Sequence, residues 1–325
     1  MRTTIFSFLL LAGLIFAGCA SKHPKIGLLV HSFETPRWQN DQKYFVDAVK
    51  QIGGVALVSV ADNNGNKQLE QARELINEGA QVLVVIPVNQ STAVSIVNMA
   101  HAKDVPVIAY DRLITNCRLD YYVSTDNIRV GEVQAEFISK IKPKGNYALL
   151  EGPTYDNNSR MIYIGQMNVL QPFVERGEVK IAYKQFANSW TADEGYRLAM
   201  KSLDTTSRKL DAIFCGNDAM AMGAIKALKE YSLEGKVAVA GQDADLPNIQ
   251  QIMKGNQTVT VYKRIKTMAS TAAELAMHLA KKEPVNPYLT TISNGERLVP
   301  SYLVDAVAVN EGNIEMTVAA EERQN

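Results

Sequence analysis

Short apolar runs alternate with longer amphipathic segments along almost the whole chain, and this alternation limits the fold more than any other feature. KIGLLV, which starts at Lys25, is followed by a helical pattern over 41–51, and VALVSVA is followed by another over 67–78. VLVVIP, a helical pattern over 92–103 and VPVIAYD continue the series. Because strands that read as continuous Val, Ile and Leu are buried on both faces, they predict a parallel sheet covered by helices on both sides.

The same alternation begins again after residue 129. A predicted helix over 131–141 leads to NYALLEG, KIAYKQF, AIFCGND, VAVAGQD and TVTVYK, most of them followed by helical patterns. The predicted fold class is therefore α/β, with two doubly wound parallel-sheet lobes in tandem. A helical pattern over 265–281 and the tail strands LTTISN and VDAVAV fit no simple tandem, which indicates that the chain crosses between the lobes more than once.

The N-terminus has the pattern of a secretory leader. Met1 and Arg2 precede an apolar run over 5–16, which is shorter than the roughly 20 residues of a membrane-spanning helix. The sequence FAGC that follows resembles a bacterial lipoprotein box, so residues 1–18 are predicted to be a lipoprotein signal peptide and Cys19 the lipidated residue. The alternative is an ordinary cleavable leader with an incidental cysteine. The lipoprotein interpretation places the protein at the periplasmic face of a bacterial membrane.

Composition argues against several classes of function. The chain has 34 Lys and Arg and 34 Asp and Glu, and removal of the leader would take away only Arg2, so its charge gives no reason to bind nucleic acid. Cys117 and Cys215 are too few for a disulfide framework and match no metal-ligand spacing. The four histidines are scattered, and GxGxxG, HExxH and GxSxG motifs are absent. The sequence therefore predicts no metal, no cofactor and no catalytic nucleophile.

Polar and aromatic side chains follow the predicted strands at their carboxyl ends, which is where parallel sheets bind ligands. These segments are HSFETPRW, Asp111 with Arg112, PTYDNN, ANSW, Asn217, Asp243 and Lys263. Both tryptophans of the chain lie among them, one in each lobe. A sugar presents apolar C–H faces to aromatic rings and hydroxyl edges to planar groups that donate and accept hydrogen bonds, so this combination favours a sugar site.

Each of these residues also has a purely structural interpretation. Asp218 and Asp245 precede predicted helices and could serve as N-caps. Asp111 and Arg112 could form a local ion pair, the tryptophans could simply pack, and Lys263 could be solvated. Their coincidence at the same sheet edges favours a shared site.

A series of motifs resembles one family over essentially the whole mature chain. It includes RWQND, VLVVIP, VIAYDR, GNYALLEG, GNDAMA, GQDADL, QTVTVYK and NGERLVPS, all in the family's order. The chain is similar to the bacterial periplasmic D-xylose-binding proteins, within the sugar-binding type I periplasmic binding proteins. The resemblance implies two lobes joined by a hinge that the chain crosses three times, with an N-terminal lobe of 24–128 plus 264–287 and a C-terminal lobe of 129–263 plus 288–325.

The resemblance also implies which residues contact the sugar, and every matched position keeps the family's residue type. The implied contacts are Arg37, Trp38, Asp111, Arg112, Asn158, Trp190, Asn217, Asp243 and Lys263. One departure is that His31 and Ser32 stand where relatives carry two acidic residues, so hydrogen bonding at the rim of the cleft is expected to differ.

The implied function is binding without bond cleavage. A monomeric lipoprotein would capture a monosaccharide, D-xylose or a related pentose, between closing lobes and present it to the membrane permease of an ABC transporter. One alternative keeps the binding and changes the partner to a membrane sensor kinase or chemoreceptor. Another treats Asp111 and Asp243 as a glycosidase pair. A third is a sugar-sensing regulator, against which the exported leader and the neutral charge both argue.

Overall fold

The computed structural model describes residues 23–35, 37–285 and 290–317, and their strands form two separate sheets. The strands are β1 Lys25–Val30, β2 Val55–Val60, β3 Val82–Val85, β4 Val107–Tyr110, β5 Tyr121–Thr125, β6 Gly145–Glu151, β7 Val179–Phe186, β8 Ala212–Cys215, β9 Ala238–Gln242, β10 Val259–Lys263, β11 Thr290–Ser293, β12 Leu298–Val304 and β13 Ala306–Val309. The helices are α1 Arg37–Gln51, α2 Gly65–Asn77, α3 Gln90–His101, α4 Asn127–Ile141, α5 Asn157–Glu175, α6 Ala192–Thr205, α7 Asp218–Glu230, α8 Leu246–Met253, α9 Ile265–Lys281 and α10 Ile314–Thr317.

Each sheet is the centre of one α/β lobe. The strand order of the first sheet is β11-β12-β5-β4-β3-β1-β2, and that of the second is β13-β10-β9-β8-β6-β7. Neighbouring strands are parallel except at the edge pairs β11 with β12 and β10 with β13, which are antiparallel. Separate apolar clusters pack on opposite faces of each sheet. The predicted class, two doubly wound α/β lobes, is confirmed.

Side-chain caps begin several helices a few residues or less after a strand ends. The Asp126 carboxylate accepts from the Arg129 amide at 3.1 Å, Asp156 accepts from Asn158 at 3.0 Å, and the Asn217 side chain accepts from Met220 at 2.9 Å. These bonds satisfy amide groups that a helix N-terminus leaves without a partner. The caps therefore fix the turns at the carboxyl edges of the strands, where the candidate site residues lie.

Helix α9 returns the chain to the first lobe. Its residues Ile265, Met268 and Ala272 are buried in the same apolar cluster as Phe45 of α1 and Ile26 of β1. The helical pattern over 265–281 that fitted no tandem repeat is thus a covering helix of the first sheet.

The chain passes between the lobes three times, and each link is one residue long. Asp126 joins β5 to α4, Arg264 joins β10 to α9, and Asp305 joins β12 to β13. Links this short leave few backbone torsions to change, so a movement of one lobe relative to the other would be restricted to a limited set of rotations.

One lobe boundary differs from the prediction. Strands β11 and β12 belong to the first sheet, since β12 pairs in parallel with β5 from Ser301 opposite Tyr122 to Val304 opposite Thr125. The assignment of 290–304 to the C-terminal lobe is therefore wrong, because the free edge of β5 offers these strands a partner that is distant in sequence. The other boundaries of the lobes stay a prediction.

Two of the three cysteines lie within the described residues. Cys117 and Cys215 are both buried with free thiols, and Cys215 has no exposed surface, as expected of a small apolar residue in a strand. The leader over 1–18 and Cys19 lie outside the described residues. Among the helices of 23–35, 37–285 and 290–317, none has both the length and the apolar character needed to cross a membrane.

Candidate functional site

A cleft lies between the carboxyl edges of the two sheets and is lined by residues of both lobes. All nine candidate residues line it: Arg37, Trp38, Asp111, Arg112, Asn158, Trp190, Asn217, Asp243 and Lys263. The cavity inside the cleft has a volume of about 60 Å³. A space of this size suits one small polar ligand.

Arg37 is the charged centre of the cleft. Its side chain is 5 % exposed and donates to three carboxylates: from Nε to Asp41 at 3.2 Å, from one terminal nitrogen to Asp243 at 3.1 Å, and from the other to Asp111. Asp41 and Asp111 belong to the first lobe and Asp243 to the second. One guanidinium thus links the two lobes through its planar fork of donors.

The carboxyl groups around Arg37 differ in their pKa. Burial alone would raise the pKa of Asp111, but Arg37, Lys263 and Arg112 outweigh burial and hold it well below its usual range. Burial raises the pKa of Asp41 to about 6, against the lowering effects of Arg37 and of the Tyr110 hydroxyl, which donates to Asp41 at 2.5 Å. Asp111 is therefore a fixed anion and a hydrogen-bond acceptor.

The backbone at Asp111 turns its side chain towards the second lobe. Asp111 has a φ of 60°, a left-handed conformation that is uncommon outside glycine and asparagine. The Tyr122 and Ser124 hydroxyls hold its carbonyl at 2.9 and 2.8 Å. In this position its carboxylate accepts from the Asn158 amide of the second lobe at 2.9 Å.

Arg112 forms a second link between the lobes. Its Nε lies 2.8 Å from a carboxylate oxygen of Asp156 in a buried ion pair, and the same oxygen accepts from the Trp190 indole at 3.2 Å. The local ion pair between Asp111 and Arg112 does not form, because the left-handed backbone at Asp111 directs its carboxylate towards Arg37 and Asn158. Each residue instead pairs with a partner from another part of the chain.

The two tryptophans face the cleft from opposite lobes. Trp38 is 6 % exposed, belongs to the apolar core of the first lobe and lies 4.4 Å from the Arg37 guanidinium. Trp190 packs against the apolar core of the second lobe. Packing and cleft lining are therefore combined in both residues.

Gly152 leaves the space that the Trp190 ring occupies. A Cβ added at Gly152 would lie 2.1 and 2.3 Å from two atoms of that ring. The Gly152→Ala variant should therefore displace the indole and weaken ligand binding by at least about tenfold, the loss expected of a misplaced aromatic wall. Calorimetry would measure the affinity, and an unchanged affinity would show that the position of this ring does not matter for binding.

The structure also decides between interpretations of the polar residues. Lys263 is 2 % exposed and lies 3.8 Å from the Asp243 carboxylate, so it is not solvated. Asn217, not Asp218, is the N-cap of α7, and its amide also donates to the Trp190 carbonyl at 3.3 Å. Asp245 occupies the N-cap position of α8 without a capping hydrogen bond from its side chain.

Asp218 has a structural role behind the cleft. Its buried carboxylate accepts from the Thr260 hydroxyl and the Gln257 amide, both at 2.9 Å, and from the Asp245 backbone amide at 3.0 Å. These bonds tie α7 to β10 and to the turn after β9. They thereby support the turn that carries Asp243.

Sequence reasoning missed some lining residues. Asn63 and Val88 follow β2 and β3, and the strand-end rule would have found them had it been applied to those two strands. Tyr155 and Asp156 lie in the PTYDNN segment, and Gln242 directly precedes Asp243. Whether the nine candidates bind a ligand stays a prediction, although the structure brings all of them to one cleft.

The arrangement is suited to holding a neutral polar molecule. The cleft offers indole faces, carboxylate and amide oxygens as acceptors, and guanidinium, ammonium and amide groups as donors. A general acid needs a raised pKa, whereas the pKa of Asp111 is lowered, which argues against Asp111 as the acid of a glycosidase pair. Within the described ranges, no cluster of three His, Cys, Asp or Glu residues has the arrangement of a metal site.

The chain is similar to known proteins over most of its length. It is 41 % identical over 305 residues to a D-xylose-binding periplasmic protein of Haemophilus influenzae, a match that covers 94 % of this chain and 92 % of that one. It is 40 % identical over 299 residues to the D-xylose-binding periplasmic protein of Escherichia coli, with coverage of 92 % and 90 %.

Solved structures share the fold. An ABC transporter solute-binding protein of Clostridium phytofermentans with bound β-D-glucose is 27 % identical, with a TM-score of 0.83 and coverage of 92 % of this chain and 100 % of that one. The periplasmic binding protein domain family matches residues 26–284, which include α9 and both halves of the cleft. This match, together with the relatives and the two-lobed architecture, shows that the chain belongs to the periplasmic binding proteins.

Proposed function

We propose that this protein is an exported solute-binding lipoprotein that captures D-xylose in the cleft between its lobes and delivers it to the membrane permease of an ABC transporter. The observation that carries the proposal is the convergence of nine polar and aromatic side chains from both lobes on one small cleft. The D-xylose-binding relatives, about two fifths identical over nearly the whole chain, support D-xylose as the sugar.

The proposed mechanism is closure of the lobes around the sugar. Arg37, Trp38, Asp111 and Arg112 are carried by the first lobe, and the other five candidates by the second. A ligand that contacts both sets binds the closed state more tightly than the open one, and this difference in affinity shifts the population towards closure. The three links between the lobes would act as the hinge.

A pentose has enough surface for tight binding. A micromolar Kd corresponds to about 8 kcal/mol, which is roughly 0.8 kcal/mol for each of its about ten non-hydrogen atoms, below the ceiling of about 1.5 for very small ligands. Indoles on its C–H faces and paired hydrogen bonds on its hydroxyls can supply this amount.

The N-terminal segment would determine where the protein acts. The leader over 1–18 would direct export and be removed, and lipidation at Cys19 would hold a monomeric protein at the periplasmic face of the membrane. No catalytic step, cofactor or metal is part of the proposal. The alternative partner is a membrane sensor that reads the closed state.

Thermal unfolding with a panel of sugars tests the proposal. A sugar present at 100 times its Kd adds about 2.7 kcal/mol to the free energy of unfolding if it binds only the folded protein, which raises the Tm by several degrees. We expect D-xylose to raise the Tm most among D-xylose, D-ribose, L-arabinose, D-glucose and myo-inositol. Absence of a shift with every sugar would contradict a sugar-binding function, and a larger shift with another sugar would change the assigned ligand.

The partner can be tested in the producing organism. Deletion of the gene should abolish uptake of radiolabelled D-xylose at low external concentration if a permease is the partner. Uptake that persists while a transcriptional response to D-xylose disappears would identify the sensor alternative.

A further inference from the structure

Two cleft-lining residues have a buried polar atom without a hydrogen-bond partner among the described residues, Nδ1 of His31 and Oε1 of Gln242. A buried polar atom without a partner costs about 1–3 kcal/mol, so such an atom at a binding cleft calls for a partner from the ligand or from water. The Gln242 amide is already tied to the scaffold, since its Nε2–H donates to the Gly216 carbonyl at 2.7 Å. Among the described residues, no comparable hydrogen bond to the scaffold holds the His31 ring.

The His31 ring is held firmly at the wall of the cleft. It follows β1 directly, is 4 % exposed, and stands edge-on to Trp38, with ring centroids 4.6 Å apart and an interplanar angle of 87°. This contact fixes the plane of the imidazole relative to the indole. The direction of any hydrogen bond from the ring is thereby fixed as well.

The surroundings of His31 keep its ring neutral. Burial and the neighbouring Arg112 and Arg37 lower its pKa well below the usual value, against the raising effect of Asp111. A neutral imidazole has one donor and one acceptor nitrogen. A sugar hydroxyl both donates and accepts, so it can pair with either tautomer.

We propose that His31 is a further ligand-contacting residue that sets sugar preference, because one ring nitrogen exchanges a hydrogen bond with a single hydroxyl of the bound sugar. This inference rests on the proposed function and assigns to that site a contact beyond the nine candidates. A rigid hydrogen-bonding group discriminates between sugars by the position of one hydroxyl, because a sugar without that hydroxyl leaves a buried nitrogen unpaired.

Calorimetry with the His31→Phe variant and deoxygenated sugars tests the contact. Phenylalanine keeps a flat ring against Trp38 and removes both nitrogens. We expect the variant to bind D-xylose roughly three- to tenfold more weakly, the effect of one neutral hydrogen bond. Three deoxy derivatives of D-xylose, lacking the hydroxyl at position 2, 3 or 4, identify the hydroxyl. The derivative that lacks it should bind the unmodified protein and His31→Phe with equal affinity, whereas the other two should bind the variant roughly three- to tenfold more weakly.

This pattern separates a ligand contact from an effect on packing. If His31 acted only by positioning Trp38, the same loss would appear with every sugar, and that result would overturn the inference. An unchanged affinity of His31→Phe for D-xylose would overturn it too. The control is Tyr147→Phe, which removes one hydrogen bond, to the Lys142 carbonyl, from a fully buried ring outside the cleft lining, and should leave all four affinities unchanged.

Two further measurements complete the test. If His31→Phe does not fold, His31→Gln restores a donor and an acceptor and should bind D-xylose within about threefold of the unmodified protein; a loss beyond tenfold in a folded His31→Gln would count against the inference. Failure of the unmodified protein to bind any sugar of the panel would instead reject the proposed function, and this inference with it.

Discussion

Replacement of Arg37 by methionine is expected to lower the affinity for the sugar by at least about 100-fold and to destabilise the ligand-free protein by about 3–5 kcal/mol. The variant leaves Asp41, Asp111 and Asp243 without the cation that they share. Asp243 would keep Lys263 at 3.8 Å, but the buried carboxylates of Asp41 and Asp111 would lose their hydrogen-bonded cation without gaining solvation. Urea unfolding at pH 8 measures the stability, and calorimetry measures the affinity.

The loss of stability should depend on pH, and its direction follows from the pKa shifts. Asp111 has a folded pKa below its unfolded value, so its contribution to stability is present above the unfolded pKa of about 4 and is lost as the pH falls through the folded pKa. In Arg37→Met the pKa of Asp111 should rise from its lowered value, and the pKa of Asp41, which burial raises and Arg37 lowers, should rise further. Folding of the variant then takes up more protons than folding of the unmodified protein. The difference between their free energies of unfolding should therefore become smaller as the pH falls from about 8 to 5.

Two variants serve as controls for Arg37→Met. Arg37→Lys keeps one positive charge but not the planar fork, so it should recover only part of the stability and affinity. Arg73→Met removes an exposed ion pair with Glu70, which should cost less than about 1 kcal/mol. If Arg37→Met were no less stable than Arg73→Met at pH 8, the central role of this guanidinium would be refuted.

The fold was largely predictable from the sequence because its signals are local. Buried parallel strands are continuous apolar runs, and α9 occurs over the predicted 265–281. Strand ends in a parallel sheet gather at one edge, so residues as far apart as Trp38 and Lys263 could be assigned to one site before their contacts were known. Strands β11 and β12 were placed in the wrong lobe because pairing with β5 is a long-range choice that local sequence does not encode.

The partners of the charged residues could not be predicted. Sequence proximity suggested a pair between Asp111 and Arg112, whereas Asp111 pairs with Arg37, which lies 74 positions away. The choice depends on the left-handed backbone at Asp111, which tertiary hydrogen bonds to its carbonyl hold in place. The unpartnered nitrogen of His31 could likewise not be predicted from the sequence, because burial and the absence of a partner are properties of the folded chain.

Removal of the two indoles should have the second large effect on binding. Trp38→Ala and Trp190→Ala should each weaken sugar binding by at least about tenfold. Because the residues belong to different lobes, the double variant should lose about 100-fold or more if their effects are independent. Trp38→Ala also leaves a cavity in the core, at a cost of about 3–5 kcal/mol, so affinities should be compared only where circular dichroism shows a folded protein.

Phenylalanine variants test the aromatic contacts of Trp38 and Trp190 without leaving the large cavity that alanine would. The chain has only two tryptophans, so Trp190→Phe leaves Trp38 as the sole indole emitter and Trp38→Phe leaves Trp190. Both variants should keep measurable binding, since a flat ring remains on each wall. Saturating D-xylose should change the indole emission of both, because closure would replace water at each ring by sugar. If saturating sugar leaves the emission spectrum of one variant unchanged, the indole that remains in that variant does not contact the ligand. Binding would then depend on the other lobe.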